Sequence, residues 1–272
     1  MNKPGEAIPG LSPGSKSSLP QFDRDTVDDT EWDLRIQLAA AFRLVHHFHW
    51  DLLIYNFISV RLPGAEGNLL INPYGMSYDE IRASNLLKID RHGNNLVASE
   101  YRVSRAGFVI HGAIHDARPD LHCVMHVHTP AASAVCAMEE GLLPLDQEGM
   151  IFHDRVAYHG HQGIPLEDEE RESLVRDLGD KQIMILRNHG LLTAGKTVGE
   201  AFTYMYFLEL ACRNQLAILS TGRKLVIPPR EVAARVPAQF VAHSEEYGGG
   251  VGRLEFAAMM RRLDRIDPSY RT

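Results

Sequence analysis

Apolar residues recur at helical spacing over several stretches of the chain. Leu34, Leu38, Phe42 and Val45 lie on one face of a predicted helix over residues 29–49. The same spacing predicts further helices over residues 105–117, 130–138, 174–178, 198–220 and 255–263. Short apolar runs between Gly, Pro, Asn and Asp predict strands over residues 57–62, 69–72, 86–90, 123–125, 183–186 and 191–194. This order of elements predicts an α/β fold, a three-layer α/β/α domain with a central, mainly antiparallel sheet.

The chain divides into an arm, a domain and a C-terminal segment. Residues 1–25 begin with a stretch of Gly, Ser, Pro and Lys that has almost no large apolar side chains, so we expect a disordered N-terminal arm. Residues 26–225 show no repeat and no shift in composition, which predicts one folded domain. Residues 226–272 are expected to form a Pro-containing connector and the last helix.

Charge and cysteine content argue against several classes of protein. The chain has 28 Lys and Arg against 35 Asp and Glu, a net charge of −7, and no basic block. Such a chain is a poor binder of nucleic acid or of anionic membranes, so neither is an expected partner. No apolar run approaches the ~18 residues of a membrane-spanning helix, and no signal peptide is visible. Three widely spaced Cys in apolar surroundings are typical of a reduced protein, and we expect a cytoplasmic location.

The candidate chemistry begins with two histidines after a predicted buried strand. His126 and His128 are two residues apart, so on a strand both imidazoles point to the same side of the sheet. Two ligands are too few for a metal site. His189 is the natural third, because it lies in a predicted turn beside Gly190, where the backbone can approach closely. Three neutral histidines with open coordination positions are typical of a catalytic metal site.

Several motifs around these histidines resemble those of the class II aldolase/adducin family. They are Ala117-Arg118-Pro119-Asp120, Val124-Met125-His126-Val127-His128-Thr129-Pro130 and Leu186-Arg187-Asn188-His189-Gly190-Leu191. The resemblance covers residues 30–222. It is closest to the adducin head-domain branch, through Leu53-Ile54-Tyr55-Asn56, Ile71-Asn72-Pro73-Tyr74-Gly75, Ala106-Gly107-Phe108, Gly141-Leu142-Leu143-Pro144 and the segment 255–264.

The resemblance implies a metal site and an assembly. His126, His128 and His189 match the zinc-binding triad of the family, in which zinc acts as a Lewis acid on the oxygens of a substrate. Iron, manganese and cobalt stay open, because three histidines and open positions suit several ions. The family also implies a homotetramer with its sites near the subunit interfaces.

The resemblance also shows where this chain departs from the sugar-phosphate aldolases. Their catalytic carboxylate corresponds to Gly107, which cannot move a proton. Their phosphate-binding pairs read Asn56-Phe57, Tyr74-Gly75 and Arg105-Ala106 here. Asn56, Tyr74, Gly75 and Arg105 are therefore the substrate-binding candidates. Because most phosphate donors are lost, we expect a small, non-phosphorylated substrate, and Arg105 could bind its carboxylate.

Another group must supply the protons that the missing carboxylate would have moved. His111 is the first candidate, because it follows Gly107 by one helical turn and we expect the glycine to leave space beside the metal. Tyr158 and His159 are the other catalytic candidates, in a loop-rich segment between the second and third ligands. The alternative is that His111 packs in the core while a metal-bound water does the proton work.

These observations predict a metal-dependent lyase that acts on a small carbonyl compound or hydroxy acid. It would cleave a C–C bond by aldol-type chemistry, or decarboxylate, through a metal-stabilised enolate. One alternative is a non-catalytic, adducin-like binding and assembly module, which Gly107 and the altered phosphate positions favour. Another is an iron-dependent oxygenase on the same scaffold.

Overall fold

The computed structural model describes residues 22–64, 66–164 and 169–272. Within these ranges seven strands form one sheet in the order β3-β2-β1-β4-β7-β6-β5. The strands are β1 (Phe57–Arg61), β2 (Leu69–Ile71), β3 (Leu87–Ile89), β4 (Cys123–Val127), β5 (Val156–His159), β6 (Ile183–Leu186) and β7 (Gly190–Gly195). Each neighbouring pair is antiparallel except β5 and β6, which are parallel. The predicted mainly antiparallel sheet is confirmed.

The helices surround this sheet. They are α1 (Asp29–His47), α2 (Arg105–Ala117), α3 (Pro130–Ala137), α4 (Gln147–Met150), α5 (Glu169–Leu178), α6 (Val198–Ser220), α7 (Arg230–Ala233), α8 (Val236–Gly248) and α9 (Arg253–Ile266). Side-chain oxygens cap several of these helices. Asp28 accepts from the Glu31 amide at α1, and Thr129 accepts from the Ala132 amide at α3.

The sheet separates two apolar clusters, which makes the fold three-layered. On one face, α1, α3, α6 and α9 pack over the sheet residues Ile58, Met125 and Ile185. On the other face, α2 and α5 pack over Val124 and Leu192 and their neighbours. Side chains alternate between the faces along a strand, so His126 shares the α2 face with Val124. The predicted α/β/α architecture is confirmed, and the α2 face carries the candidate chemistry.

The chain termini differ in part from the sequence expectations. Of the predicted arm, residues 1–21 lie outside the described residues. Phe22 stacks on Trp32 at 5.8 Å, and the 3-10 turn Arg24–Thr26 follows it, so packing against the domain begins before residue 26. The segment predicted to be a connector contains α8, in which Pro237 lies in the first turn, where a proline breaks no helical hydrogen bond.

The C-terminal segment is part of the packed domain. Phe256 of α9 lies in the main apolar cluster with its ring 5.5 Å from that of Phe202. Arg43 of α1 donates to Asp267 at 3.1 Å, and the Ser84 amide donates to the Thr272 carbonyl at 3.0 Å. The three cysteines are buried with free thiols, as their surroundings predicted.

Candidate active site

Three histidines converge where β4 ends and β7 begins. The candidate ligand nitrogens of His126, His128 and His189 all lie within 4.8 Å of one another. Their ring centroids are 4.4–4.8 Å apart, and the rings meet edge to face. His126 is buried, whereas the other two are half-buried. The arrangement brings together the three residues that the sequence singled out.

Backbone geometry makes this convergence possible. His189 follows Asn188, which has a positive φ of 55°, a conformation that asparagine tolerates better than most residues. A Cβ on Gly190 would lie 2.6 Å from the Val127 carbonyl oxygen and 3.0 Å from Cε1 of His126. Only glycine lets β7 begin this close to the ligand strand.

The hydrogen bonding and charge of the triad suit a cation. Nδ1 of His126 donates to the Leu191 carbonyl at 2.8 Å, which leaves Nε2 unprotonated, 2.7 Å from Nε2 of His128. Burial lowers the pKa of all three rings, and the neighbouring histidines add to this effect for His126 and His189. The pKa of His189 falls to about 4. Neutral imidazoles with converging lone pairs fit a bound divalent metal.

The triad lines a cavity of about 430 Å³, a volume in the range of small-molecule sites. The other lining residues come from the loop before β1, the start of β1, the turn after β2, the beginning of α2 and the loop after β5. They are Leu52, Tyr55, Phe57, Tyr74, Ser104, Ala106, Gly107, Ile110, His111, His161, Gly163 and Ile164. A substrate enclosed here would therefore contact residues of several elements besides the three histidines.

A buried chain of polar groups holds His111 at this cavity. Oγ of Ser59 lies 2.7 Å from Nδ1 of His111 and 2.8 Å from Nε2 of His115. All three side chains are buried, and burial lowers the pKa of His111 to about 3. Nε2 of His111 has no hydrogen-bond partner. A buried, unpartnered imidazole nitrogen at a cavity wall is a candidate for contact with a substrate.

The described geometry agrees with a family of known proteins. Residues 36–216, well over half of the chain, match the family described as class II aldolase and adducin N-terminal domain. The chain belongs to this family. The predicted resemblance to class II aldolases and adducins is thus confirmed.

The similar proteins include both aldolase-type proteins and an adducin. An aldolase II superfamily protein from Pseudomonas syringae is 46% identical, with a TM-score of 0.84 over 92% of this chain and 99% of that one. L-fuculose 1-phosphate aldolase from Glaciozyma antarctica PI12 has a TM-score of 0.75 over 90% and 93% of the two chains, and its 24% identity shows the shared fold alone. Alpha-adducin from Mus musculus is 38% identical over 92% of this chain and 35% of adducin. At a coarse level these comparisons support an aldolase-like lyase.

Gly107 lies at the cavity, but no space is left beside it. A Cβ there would be 2.7 Å from Cγ of Phe57 and 2.8 Å from both Cδ atoms. The expectation that this glycine leaves room next to the metal is therefore wrong, because the Phe57 ring fills that room. Phe57 and Gly107, which the family resemblance implies to differ from the sugar-phosphate aldolases, are thus in contact with each other.

We expect Gly107→Ala to destabilise the protein by about 1–2 kcal/mol. Overpacking costs ~1–3 kcal/mol, and the upper part of this range applies because the contact is with the root of a buried ring. The better helix propensity of alanine offsets only about 1 kcal/mol of it. Denaturant unfolding of the metal-free protein measures this difference. Gly112→Ala on the same helix is the matched control, since its Cβ would meet nothing closer than the end of the Arg171 side chain at 3.1 Å and the Phe108 ring at 3.3 Å. The penalty should shrink in a Phe57→Leu background; a Gly107→Ala protein as stable as the parent would contradict the packing argument.

The four substrate-binding candidates divide between the cavity and its surroundings. Tyr74 lines the cavity, with its ring 6.1 Å from that of Tyr55. Gly75, with φ at 119°, supports the same turn. Asn56 is buried, and its amide donates to the Trp50 carbonyl at 2.7 Å. Arg105 is exposed at the start of α2 and does not line the cavity.

Tyr158 and His159 point to opposite faces of the sheet, and neither lines the cavity. Nδ1 of His159 lies 2.7 Å from Asp177, and its Nε2 lies 3.3 Å from Glu170, so both ring nitrogens face carboxylates of α5. The Tyr158 hydroxyl accepts from the Leu142 amide at 3.2 Å, and the Arg187 guanidinium lies 4.3 Å from its ring centre. These contacts tie both side chains to the surrounding structure.

Sequence reasoning did not select Ser59 or the apolar wall of the cavity. The strand pattern could have identified Ser59. Residues 57 and 59 point to the same face of the sheet, and this is the face of His126 because Phe57 pairs with His126. Leu52 and Ile164 carry no such signal, since they lie in loops.

Within the described ranges, no helix is long and apolar enough to cross a membrane.

Proposed function

We propose that this chain is a metal-dependent lyase that acts on a small, non-phosphorylated carbonyl compound or hydroxy acid. The observation that carries the proposal is one cavity that holds three convergent neutral imidazoles and a fourth, unpartnered imidazole nitrogen, that of His111. Aldol-type cleavage and decarboxylation share the need for charge stabilisation beside a carbonyl group and for proton transfer.

His126, His128 and His189 would hold the metal, with zinc as the first candidate and iron, manganese and cobalt as the others. Such an ion supplies Lewis acidity towards carbonyl and hydroxyl oxygens. The Leu191 carbonyl orients His126 through Nδ1, as outer partners of metal-binding histidines usually do.

His111 is the proposed acid/base. Burial lowers the pKa of His115 well below its usual value, as it lowers that of His111, so both rings are neutral. We assign the Ser59 hydroxyl as the donor to His115 and the acceptor from Nδ1 of His111, the arrangement that leaves Nε2 of His111 unprotonated at the cavity. A neutral imidazole held in this tautomer presents a lone pair to the cavity. Because burial makes it a weak base, it would take a proton only from a group that the bound metal makes more acidic.

The remaining expectations rest on the family. We propose a homotetramer in the cytoplasm, and light scattering that shows only a monomer at micromolar concentration would contradict the assembly. Tyr158 and His159 receive no catalytic role in this proposal, because their contacts lie away from the cavity.

A substrate screen tests the function directly. Protein loaded with zinc, manganese or iron is incubated with aldol donors and with 2-oxo and 3-oxo acids, and aldehyde release, carbon dioxide and oxygen uptake are followed. We expect lyase turnover that is absent from His128→Ala protein treated in the same way. Metal binding without any turnover would favour the adducin-like module, and oxygen uptake with iron would favour the oxygenase.

A further inference from the structure

Part of the cavity wall beyond the histidines is apolar. Leu52, Phe57, Ile110 and Ile164 line it, together with Ala106 and two glycines. Among the described residues that line the cavity, none is Lys, Arg, Asp or Glu. A phosphate or a second carboxylate would find no cationic Lys or Arg side chain among these residues.

The apolar wall is built into the packing of β1 and α2. The Phe57 ring occupies the space in front of Gly107 and meets the His111 ring edge to face, with centroids 6.4 Å apart. Phe57 is 5% exposed, so the ring is held in place. A buried aromatic ring therefore lies beside the proposed acid/base and, through the pairing of Phe57 with His126, beside one of the proposed metal ligands.

The mouth of the cavity exposes further apolar surface. Leu52 is 43% exposed and Ile164 is 75% exposed, and the half-exposed rings of Tyr55 and Tyr74 lie beside them. Apolar side chains grouped around a functional cavity gain free energy when a ligand removes them from water.

We propose that the substrate carries an apolar group of several carbon atoms, and that Leu52, Phe57, Ile110 and Ile164 bind it while its oxygens face the histidines. This inference rests on the proposed function, because that function places the oxygens at the triad. The proposed function states only that the substrate has no phosphate, whereas this inference assigns the chemistry of the part of the substrate that does not face the histidines.

Calorimetric titration of zinc-loaded protein with unbranched 2-oxo acids tests the inference. Pyruvate, 2-oxobutanoate, 2-oxopentanoate and 2-oxohexanoate share one head group and differ by single methylene groups. We expect affinity to rise about fourfold for each added methylene that the cavity buries. Dihydroxyacetone phosphate is expected to bind more weakly than the longest acid. A flat or falling series, or tighter binding of the phosphate, would overturn the inference.

Variants at the mouth identify the surface responsible. Leu52→Ser and Ile164→Ser change exposed side chains that line the cavity, so folding should be preserved while the increase per methylene falls. Leu53→Ser is the matched control, because Leu53 is 75% exposed and does not line the cavity. If Leu53→Ser flattens the series as much as Leu52→Ser and Ile164→Ser, the assigned wall is wrong.

The inference and the proposed function fail separately. A rising affinity series without turnover of any compound supports the apolar site and contradicts the lyase. Turnover of small polar substrates with a flat affinity series supports the lyase and overturns the apolar site.

Discussion

Replacement of His128 by alanine is expected to abolish stoichiometric binding of a divalent metal. Two of the three converging imidazoles remain. Loss of a group that only orients a metal ligand lowers metal affinity by up to ~100-fold, so loss of a ligand itself should lower it by at least this factor. Elemental analysis after purification without added chelator should fall from near one ion per chain to background.

His161→Ala is the matched control for this experiment. His161 lines the same cavity, and its ring centroid lies 6.0 Å from that of His189, but its nitrogens are not part of the convergent set. The control should keep its metal. Unchanged metal content in His128→Ala protein would refute the site, and metal loss in His161→Ala protein would mean that the ligand set is larger than three.

The second large effect is expected from His111→Gln. The amide retains polarity and approximate size but cannot act as a base, so turnover of any substrate found in the screen should fall by ~10²–10⁴-fold. Metal content should stay at the parent level, because Nε2 of His111 is not among the convergent ligand atoms. Steady-state kinetics at equal metal loading measure the effect.

Two further variants separate a catalytic His111 from a structural one. Ser59→Ala removes the hydroxyl that holds the imidazole in one tautomer, and turnover should fall by less than in His111→Gln, with metal retained. His159→Gln changes another buried histidine, whose partners are Asp177 and Glu170, and should leave turnover per folded molecule unchanged. Undiminished turnover in His111→Gln protein would assign the proton transfer to a metal-bound water.

The local parts of the site were accessible from the sequence. The spacing of His126 and His128 places both rings on one side because strand geometry repeats every two residues. The turn at His189 was predicted from the neighbouring Gly190. The convergence of the three rings is a property of the sheet, since β4 and β7 are sequence-distant neighbours that pair with Val127 opposite Leu191.

Other elements were not predicted, for identifiable reasons. β5 has only four residues, ends in a tyrosine and a histidine, and lies at the sheet edge, so its apolar signal is weak. α8 lies in the segment predicted to be a Pro-containing connector, but Pro237 occupies its first turn, a position that needs no amide donor. The family resemblance, by contrast, was readable because its motifs are contiguous along the chain.

The amino-acid sequence by itself determined the α/β architecture and the candidate ligands. Its resemblance to the class II aldolase/adducin family implies that Gly107 stands where the sugar-phosphate aldolases have their catalytic carboxylate. Periodicity, residue identity and contiguous motifs involve a few neighbouring positions, so all three could be read along the chain. The tertiary structure alone decided that Phe57 fills the space of Gly107, that Ser59 links two histidines, and that the cavity wall is apolar. Such contacts join residues about fifty positions apart, and their distances are set by how β1 and α2 pack, which no local pattern encodes.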